Sequence, residues 1–341
     1  MPRRRRLREA VDHRPRPGAG PVAARPLRAR IPGGRGEVNA TALGFSVSAA
    51  DYARDGAALR AVREAVFVRE QGVPLELELD AQDPDCLHVL ARDADGKPIG
   101  TGRLTPAHTL GRMAVLPEWR GRGVGAAMLA ALTELARGQR WNAIELHAQV
   151  DAIGFYVRNG YLPVGPRYME AGIEHQSMRR ALGGPNAVED REAAIAATIA
   201  IVDSTRRGLR AYSRALDPGL FDAPPVLDAL RRLAVRRDGI ELRFLLQDAE
   251  TPQREQAPLI ALAQRLPSVL LFRAVDDPVD LNYPSAFVAN DGSGYYFRGL
   301  GHRFDGETAL DAGGRARQLR EEFDRTWERS RPCSEYRALG L

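Results

Sequence analysis

A glycine-rich turn between an apolar segment and a helical pattern restricts the fold of this chain more than any other feature. The short apolar stretch around Met113-Ala114-Val115 is followed by Arg120-Gly121-Arg122-Gly123-Val124-Gly125, and apolar residues then recur at helical spacing up to Arg137. This order predicts a strand, a tight turn and a helix that Gly138 ends. Backbone N–H groups at the start of such a helix converge on one point, and the glycines allow close approach. The turn is therefore predicted to hold a phosphate group.

The 341 residues exceed what one hydrophobic core usually serves, so two domains are expected.

Around the turn, the pattern predicts the order strand, helix, three strands, helix, strand, helix and two strands. A hairpin at Asp95-Gly96 connects the second and third strands. The predicted strands are 45–48, 87–93, 98–104, 109–116, 143–149, 161–164 and 175–179, and the helices are one through Leu59, Val62 and Val66, then 124–137 and 151–158. These elements define a first domain over residues 41–183.

A cluster of Gly, Pro, Asn and Asp predicts a linker over residues 184–190 and a second domain over residues 191–341. In that second domain, helices are predicted through Ile195, Ile199 and Val202, over 225–235 and 253–265, and through Leu319, Phe323 and Trp327, with strands over 240–246 and 268–274. The alternation of helices and strands indicates an α/β layered domain.

The basic character of the chain belongs to its first 40 residues. They hold eleven arginines and three acidic residues, a net charge of +8 against +5 for the whole chain. Rich in Pro, Gly and Ala and without an apolar period, residues 1–40 are predicted to be disordered. No apolar run approaches the roughly 18 residues of a membrane-spanning helix, and Cys86 and Cys333 have no CxxC or histidine partner. We expect a cytoplasmic protein with two free thiols, no metal site and no membrane partner.

Two ordered motifs carry a resemblance to a known family. Arg120-x-x-Gly123-x-Gly125, after the strand Met113–Val115, resembles the acyl-CoA motif of the GNAT superfamily of N-acetyltransferases. The segment from Leu146 to Tyr161 resembles the strand and helix that follow it in that family. The segments Val66–Pro74 and Glu170–His175 are similar to the ElaA-like branch of small bacterial acetyltransferases. The resemblance covers residues 44–181.

The resemblance implies a fold, a co-substrate and a set of contact residues. The fold class is α/β, a GNAT-type mixed sheet with flanking helices, followed by the second α/β layered domain. The co-substrate is acetyl-CoA, with its diphosphate at the turn and its pantetheine arm along the open edge of the preceding strand. The implied cofactor-binding residues are Met113, Ala114, Val115, Arg120, Gly121, Arg122, Gly123, Val124, Gly125, Gln149 and Phe155.

For catalysis, the resemblance places Tyr156 near the thioester sulfur as the proton donor, the alternative being a core aromatic beside Phe155. The base is less defined, because Glu145, His147 and Gln149 alternate along one strand face. His147 is preferred because histidine is the residue type whose unperturbed pKa suits proton transfer near neutral pH. Other candidates are Glu76, Glu170 and His175, and a water relay also remains open. Many relatives carry a catalytic glutamate near the position of Thr109, whereas this chain has no carboxylate there. An acidic loop from Glu76 to Asp85 is expected either to attract a cationic substrate or to lie in solvent.

The second domain faintly resembles one half of a phospholipase-D-like domain. Pro284, Ala286 and Asp291 occupy the positions where that family has a histidine, a lysine and an aspartate. Without the histidine nucleophile the chemistry has no agent, so a catalytically degenerate binding or assembly module is expected.

The sequence thus favours an N-acetyltransferase acting on an amine of a small molecule or a protein. One alternative is an acetyl-CoA-sensing pseudo-enzyme that signals through the second domain. The other is a protein that binds nucleic acid through its arginine-rich segment, although nucleic acid is not the expected partner. The acceptor amine is left open, and so is assembly into a homo-oligomer.

Overall fold

The computed structural model describes residues 38–40, 44–170, 172–236 and 239–336. Residues 1–37, most of the segment predicted to be disordered, lie outside the described residues. Within the described ranges, no helix is long and apolar enough to cross a membrane. Cys86 and Cys333 are both free and buried.

The first half of the chain builds a nine-stranded sheet. Its strands are β1 (Val38–Ala40), β2 (Phe45–Ala50), β3 (Leu87–Asp93), β4 (Pro98–Leu104), β5 (Thr109–Val115), β6 (Ala143–Gln149), β7 (Leu162–Pro163), β8 (Tyr168–Glu170) and β9 (Ile173–Ala181). They lie in the order β1-β2-β3-β4-β5-β6-β9-β7, with β8 paired to β9. Only the β5–β6 pair is parallel within this described sheet, so it is mixed. This is the GNAT-type sheet that the sequence predicted.

Helices lie on both faces of this sheet. They are α1 (Tyr52–Arg63), a π-helix (Glu64–Glu70), α2 (Leu75–Glu78), α3 (Val124–Gly138) and α4 (Ile153–Arg158), with 3₁₀ turns at 83–85, 117–119 and 150–152. Gly100 of β4 faces α3, because a Cβ built at this glycine would lie 2.9 Å from Sδ of Met128. Arg103, three residues further along β4, binds Asp83, and Asp83 also binds Arg63 of α1. Because neighbouring strand residues point to opposite faces, α1 and α3 cover opposite faces of the sheet.

The second half builds an eight-stranded sheet. Its strands are β10 (Asn186–Val188), β11 (Gly208–Ser213), β12 (Glu241–Leu246), β13 (Leu270–Ala274), β14 (Ala286–Asn290), β15 (Tyr295–Arg298), β16 (Gly306–Ala309) and β17 (Arg331–Pro332). They lie in the order β10-β16-β15-β14-β11-β12-β13-β17. Here β11, β12 and β13 are parallel, and the remaining neighbours are antiparallel. The helices are α5 (Arg191–Asp203), α6 (Pro224–Ala234), α7 (Glu250–Arg254), α8 (Pro258–Arg265), α9 (Pro278–Leu281) and α10 (Gly313–Arg329), followed by a 3₁₀ turn at 334–336.

Some elements differ from the sequence prediction. Residues 186–188, inside the predicted linker, form β10 and pair with β16. The helix predicted over 253–265 is two helices, because Gln256 adopts a left-handed conformation (φ 53°) between α7 and α8. Neither β11 nor the antiparallel strands β14 to β16 were predicted.

The two sheets share one continuous hydrophobic core. Helix α5 packs against α4 and β7 of the first sheet, with small side chains such as Ala193 and Ala197 at 3% and 0% exposure. At the edge of this contact, Arg137 of α3 binds Asp311 at 2.7 Å. The second half therefore supports the helix that carries Tyr156.

Candidate functional site

A gap opens between β5 and β6 in the first sheet. Their parallel pairing consists of Thr109 with Glu145 and Leu110 with Leu146, and it ends there. From Gly111 to Val115 the edge of β5 that faces β6 has no strand partner in the described sheet. Unpaired backbone N–H and C=O groups at such an edge require hydrogen-bonding partners.

A β-bulge reinforces this separation. Thr101 of β4 pairs with Ala114 and Arg103 pairs with Gly111, so β5 carries one residue more than β4 across this span. The bulged residue Arg112 has a φ of 52°, in the left-handed region. That conformation costs about 1–3 kcal/mol in a non-glycine residue and is commonest at functional sites. Arg112 donates to the carbonyl of Leu77 at 3.0 Å, which holds the bulge against α2.

The predicted phosphate turn leads directly into α3. Gly121 and Gly123 have φ values of 72° and 86°, which glycine adopts without strain. Gly123 precedes the first residue of the helix, and no side chain caps the helix start. The first N–H groups of a 15-residue helix are thus left to bind an anion. Val124 is buried and anchors the turn to the core.

The two arginines of the turn have protein partners. Arg120 donates to both carboxylate oxygens of Glu70 at 2.7 and 2.6 Å, and its Nε donates to the carbonyl of Val115 at 3.0 Å. The hydrogen bond between them raises the pKa of Arg120 and lowers that of Glu70. Arg122 lies over the ring of Trp119, with its Cζ 5.1 Å from the ring centroid. Contact of either guanidinium with a phosphate remains a prediction, and Arg120 would share its charge with Glu70.

Tyr156 lies on α4, on the same face of the sheet as α3. The ring of its neighbour Phe155 packs against α3, since a Cβ built at Gly125 of α3 would lie 3.5 Å from that ring. The ring of Tyr156 packs against Phe155 and Tyr161, with ring centroids 5.0 and 5.8 Å away. Among the described residues its hydroxyl has no hydrogen-bond partner. Burial raises the pKa of Tyr156 to about 12, so the phenol stays protonated at neutral pH.

His147 lies on the opposite face of the sheet. The flanking residues of β6 are buried in the core shared with α3, so the side chain of His147 is directed away from α3. The hydroxyl of Tyr168 is 2.5 Å from its Nδ1, and Ser177 lies at 3.4 Å. His175 stacks on Tyr168 at 6.1 Å between ring centroids. Tyr156 and His147 therefore lie on opposite faces of the sheet.

Three carboxylates of the acidic loop form ion pairs with arginines of the sheet and α1, whereas Glu76 and Asp85 are exposed. Glu78 and Asp83 are 3% and 1% exposed and bind the buried Arg63, through contacts of 2.6 and 2.9 Å. Asp83 also binds Arg103, which reaches Asp80 at 2.6 Å. Burial lowers the pKa of Arg63, but its bonds to Glu78 and Asp83 outweigh that and raise the pKa overall. Both expectations for this loop are wrong for these three carboxylates, because their charge is neutralised inside the protein.

The remaining predicted residues line the gap or its surroundings. Met113 points towards α3, with its Sδ 2.5 Å from a Cβ at Gly102, and Ala114 packs with Val62 and Val66 on the other face. Gln149 ends β6 opposite His175.

Sequence reasoning missed Glu70 and Tyr168, since each meets its partner across the fold, 50 and 21 residues away in the chain. In the described ranges, no group of three His, Cys, Asp or Glu residues could hold a metal ion.

The sheet is mixed, one of its strand pairs separates, and a glycine turn beside the gap begins a helix. This is the architecture that the resemblance to the GNAT superfamily implies. A family model described as acetyltransferase (GNAT) domain matches residues 48–182. The uncharacterized N-acetyltransferase YjcF of Bacillus subtilis (strain 168) is 36% identical over 123 residues, which span 35% of this chain and 87% of that protein. The chain therefore belongs to the GNAT acetyltransferase family.

Solved structures of similar proteins include Escherichia coli ElaA, with 26% identity, a TM-score of 0.37, and coverage of 40% of this chain and 99% of that chain. An acyl-CoA N-acyltransferase from Pseudomonas aeruginosa is 29% identical at a TM-score of 0.37, with the same coverage. Residues 190–339 match a different model, described as a domain of unknown function (DUF7931). The resemblance of this part to phospholipase D stays a prediction.

Proposed function

We propose that this protein transfers the acetyl group of acetyl-CoA directly to an amine. The observation that carries the proposal is the open edge of β5, residues 111–115, which leads through the 3₁₀ turn to the uncapped start of α3. Together they offer backbone groups to an amide-bearing arm and N–H groups to a diphosphate. CoA carries both groups, because its pantetheine arm contains amides and its diphosphate is an anion.

The thioester would lie in the gap between β5 and β6. A carbonyl oxygen in the gap can accept hydrogen bonds from the unpaired backbone N–H groups of β5, which stabilises negative charge as it develops. Tyr156 would reach the sulfur from the α4 face. Its phenol, with a pKa of about 12, remains protonated and can donate to the departing thiolate.

The acceptor amine would approach from the opposite face, where His147 and Tyr168 lie beside the gap. Because the Tyr168 hydroxyl is 2.5 Å from Nδ1 of His147, the two side chains form a continuous path for a proton. An amine that arrives protonated must lose one proton before attack and another as the product forms. We propose that His147, with Tyr168 orienting its ring, accepts the proton lost before attack, and that the second proton restores the one that Tyr156 donates to the thiolate.

Turnover separates this proposal from an acetyl-CoA sensor. The protein is incubated with acetyl-CoA and a library of primary amines, free CoA is measured with a thiol reagent, and products are identified by mass spectrometry. An acetylated amine that accumulates in step with free CoA supports the proposal. Tight acetyl-CoA binding with no amine-dependent CoA release across a library of small amines, polyamines and peptides would instead favour a sensor.

The acceptor can also be a protein, so the same assay includes a total protein extract and [acetyl-¹⁴C]-labelled donor. A Tyr156→Phe variant is run beside the wild type. Labelling that disappears in the variant belongs to this site, whereas equal labelling in both is non-enzymatic acetylation.

A further inference from the structure

A cavity of about 510 Å³ opens at one end of the second sheet. Its walls are the segments that follow β11 and β12, the segment that precedes β14 and the segment that follows β15. In open α/β sheets, ligands bind outside the carboxyl ends of parallel strands, which is where β11 and β12 finish. The volume also falls within the range of about 300–1,000 Å³ for small-molecule sites.

One buried arginine holds two of these walls. Arg298, at the end of β15, is 1% exposed. It forms an ion pair with Asp217 in the segment after β11. It also donates to the carbonyls of Gly301 and Arg303 at 3.0 and 3.3 Å, in the segment after β15. Asp217 and its neighbour Leu216 have φ values of 34° and 57°, a strained backbone that this ion pair stabilises.

The other two walls are held by Gln247 and Asp248, which follow β12. The amide nitrogen of Gln247 donates to the carbonyls of Tyr283 and Leu281 at 2.7 and 3.2 Å. Asp248 donates its backbone N–H to the carbonyl of Arg214 at 2.8 Å. The cavity is thus formed in advance, which reduces the entropy lost when a ligand binds.

The cavity lining includes one arginine, one histidine and two leucines that are exposed to solvent. Arg214 and His302 are exposed, and neither side chain has a hydrogen bond or ion pair with any described residue. Leu281 and Leu300 are 41% and 46% exposed and together offer apolar surface at the cavity. Oδ1 of Asp248 accepts the N–H groups of residues 250 and 251 at 3.0 Å each, and among the described residues no ion pair joins Asp248 to Arg214.

We propose that this cavity binds a small organic anion. An oxyanion, carboxylate or phosphoryl, is held by the guanidinium fork of Arg214 with His302 beside it, and an apolar body covers Leu281 and Leu300. Arginine matches either oxyanion through two parallel N–H bonds. This site lies in the half of the chain that matches a domain of unknown function, and its occupancy does not depend on acetyl transfer.

Calorimetric titration of the full chain tests the proposal with three probes: phenyl phosphate, phenylacetate and inorganic phosphate. Saturating CoA is present, so that the glycine turn before α3 does not compete for the anion. We expect phenyl phosphate or phenylacetate to bind with a stoichiometry of one and more tightly than inorganic phosphate. The better of the two identifies the oxyanion.

Variants separate this cavity from other basic surfaces. Arg214→Gln should weaken binding at least tenfold, about 1.4 kcal/mol, whereas the matched control Arg325→Gln, at an exposed position of α10, should leave it within twofold. Leu300→Ser should weaken the two aromatic probes and leave inorganic phosphate unchanged. The proposal is overturned if no probe binds saturably below about 10 mM, or if Arg214→Gln, with an unchanged melting temperature, binds as the wild type does.

Discussion

The hydroxyl of Tyr168 lies 2.5 Å from Nδ1 of His147, and the two residues belong to β8 and β6 on the exposed face of the first sheet. A phenol donating to Nδ1 leaves the proton of the neutral imidazole on Nε2. In that tautomer, the nitrogen able to accept a proton is the one that Tyr168 contacts. A base role for His147 therefore involves Tyr168, either as a relay or as a group that moves aside.

This geometry gives a first prediction. His147→Gln should lower kcat/KM for the amine by about 100-fold or more, the usual scale of general base catalysis, while the KM for acetyl-CoA changes less than about twofold. Tyr168→Phe removes the hydroxyl and keeps the ring stacked on His175, so it should lower kcat less than His147→Gln does. Steady-state kinetics with both substrates varied is the measurement. Full activity of His147→Gln near neutral pH would leave a water relay, or one of the other candidates Glu76, Glu170 and His175, as the base.

The glycine turn gives a second prediction. Gly123→Asp should abolish acetyl-CoA binding, because its carboxylate would stand at the helix start where the diphosphate is expected. A Cβ at Gly123 has no neighbour within 4 Å, so the substitution causes no clash. Its φ of 86° strains any side chain, and Gly123→Ala is the matched control that carries this strain without the charge. Calorimetry should show binding to Gly123→Ala and none to Gly123→Asp. If the aspartate variant binds within about threefold of the alanine variant, the diphosphate lies elsewhere.

The buried ion pairs give a third prediction. Asp83 is 1% exposed and binds both Arg63 and Arg103. Asp83→Asn would leave two buried guanidinium groups with one carboxylate fewer, so the free energy of unfolding should fall by about 3–5 kcal/mol. Glu134→Gln breaks the exposed pair with Arg137 and should change it by about 0.5 kcal/mol or less. Urea denaturation followed by circular dichroism measures both, and similar values for the two variants would show that the network is dispensable.

The strand–turn–helix around Gly123 could be predicted because its signals are local. The helical period from Val124 onwards and the glycines before it act within a few residues, and α3 begins at Val124 as expected. The network of Arg63 and Asp83 joins residues 20 positions apart in the chain. Acidic residues in a loop give no sign of which arginine they will meet, so charge alone suggested solvent. The partnership between Tyr168 and His147 was hidden for the same reason, and because β8 has only three residues.

The second half was predicted less completely. Its parallel strands β12 and β13 are flanked by clear helices and were expected, whereas β14 to β16 are short antiparallel strands joined by glycine-rich turns. Residues 186–188 directly follow Gly183, Gly184 and Pro185, the breakers typical of a linker, yet they pair with β16 as an edge strand. Composition identified the break between the two patterned halves of the sequence. It did not show that α5, directly after β10, completes the core beneath α4.

The last prediction concerns Tyr156, whose ring packs against Phe155 and Tyr161 at 5.0 and 5.8 Å between centroids. Tyr156→Phe keeps the ring and these contacts, so acetyl-CoA affinity and stability should change little. If the phenol donates to the departing thiolate, kcat should fall by about 100-fold or more, and the loss should shrink for a donor whose thiolate leaves more easily. Because burial raises the pKa of Tyr156 to about 12, its ionisation should not limit activity between pH 7 and 10, so any alkaline decline there must come from another group. Single-turnover measurements across that pH range, with both donors, test the two statements together. Equal single-turnover rates for wild type and Tyr156→Phe would make Tyr156 a packing residue of α4.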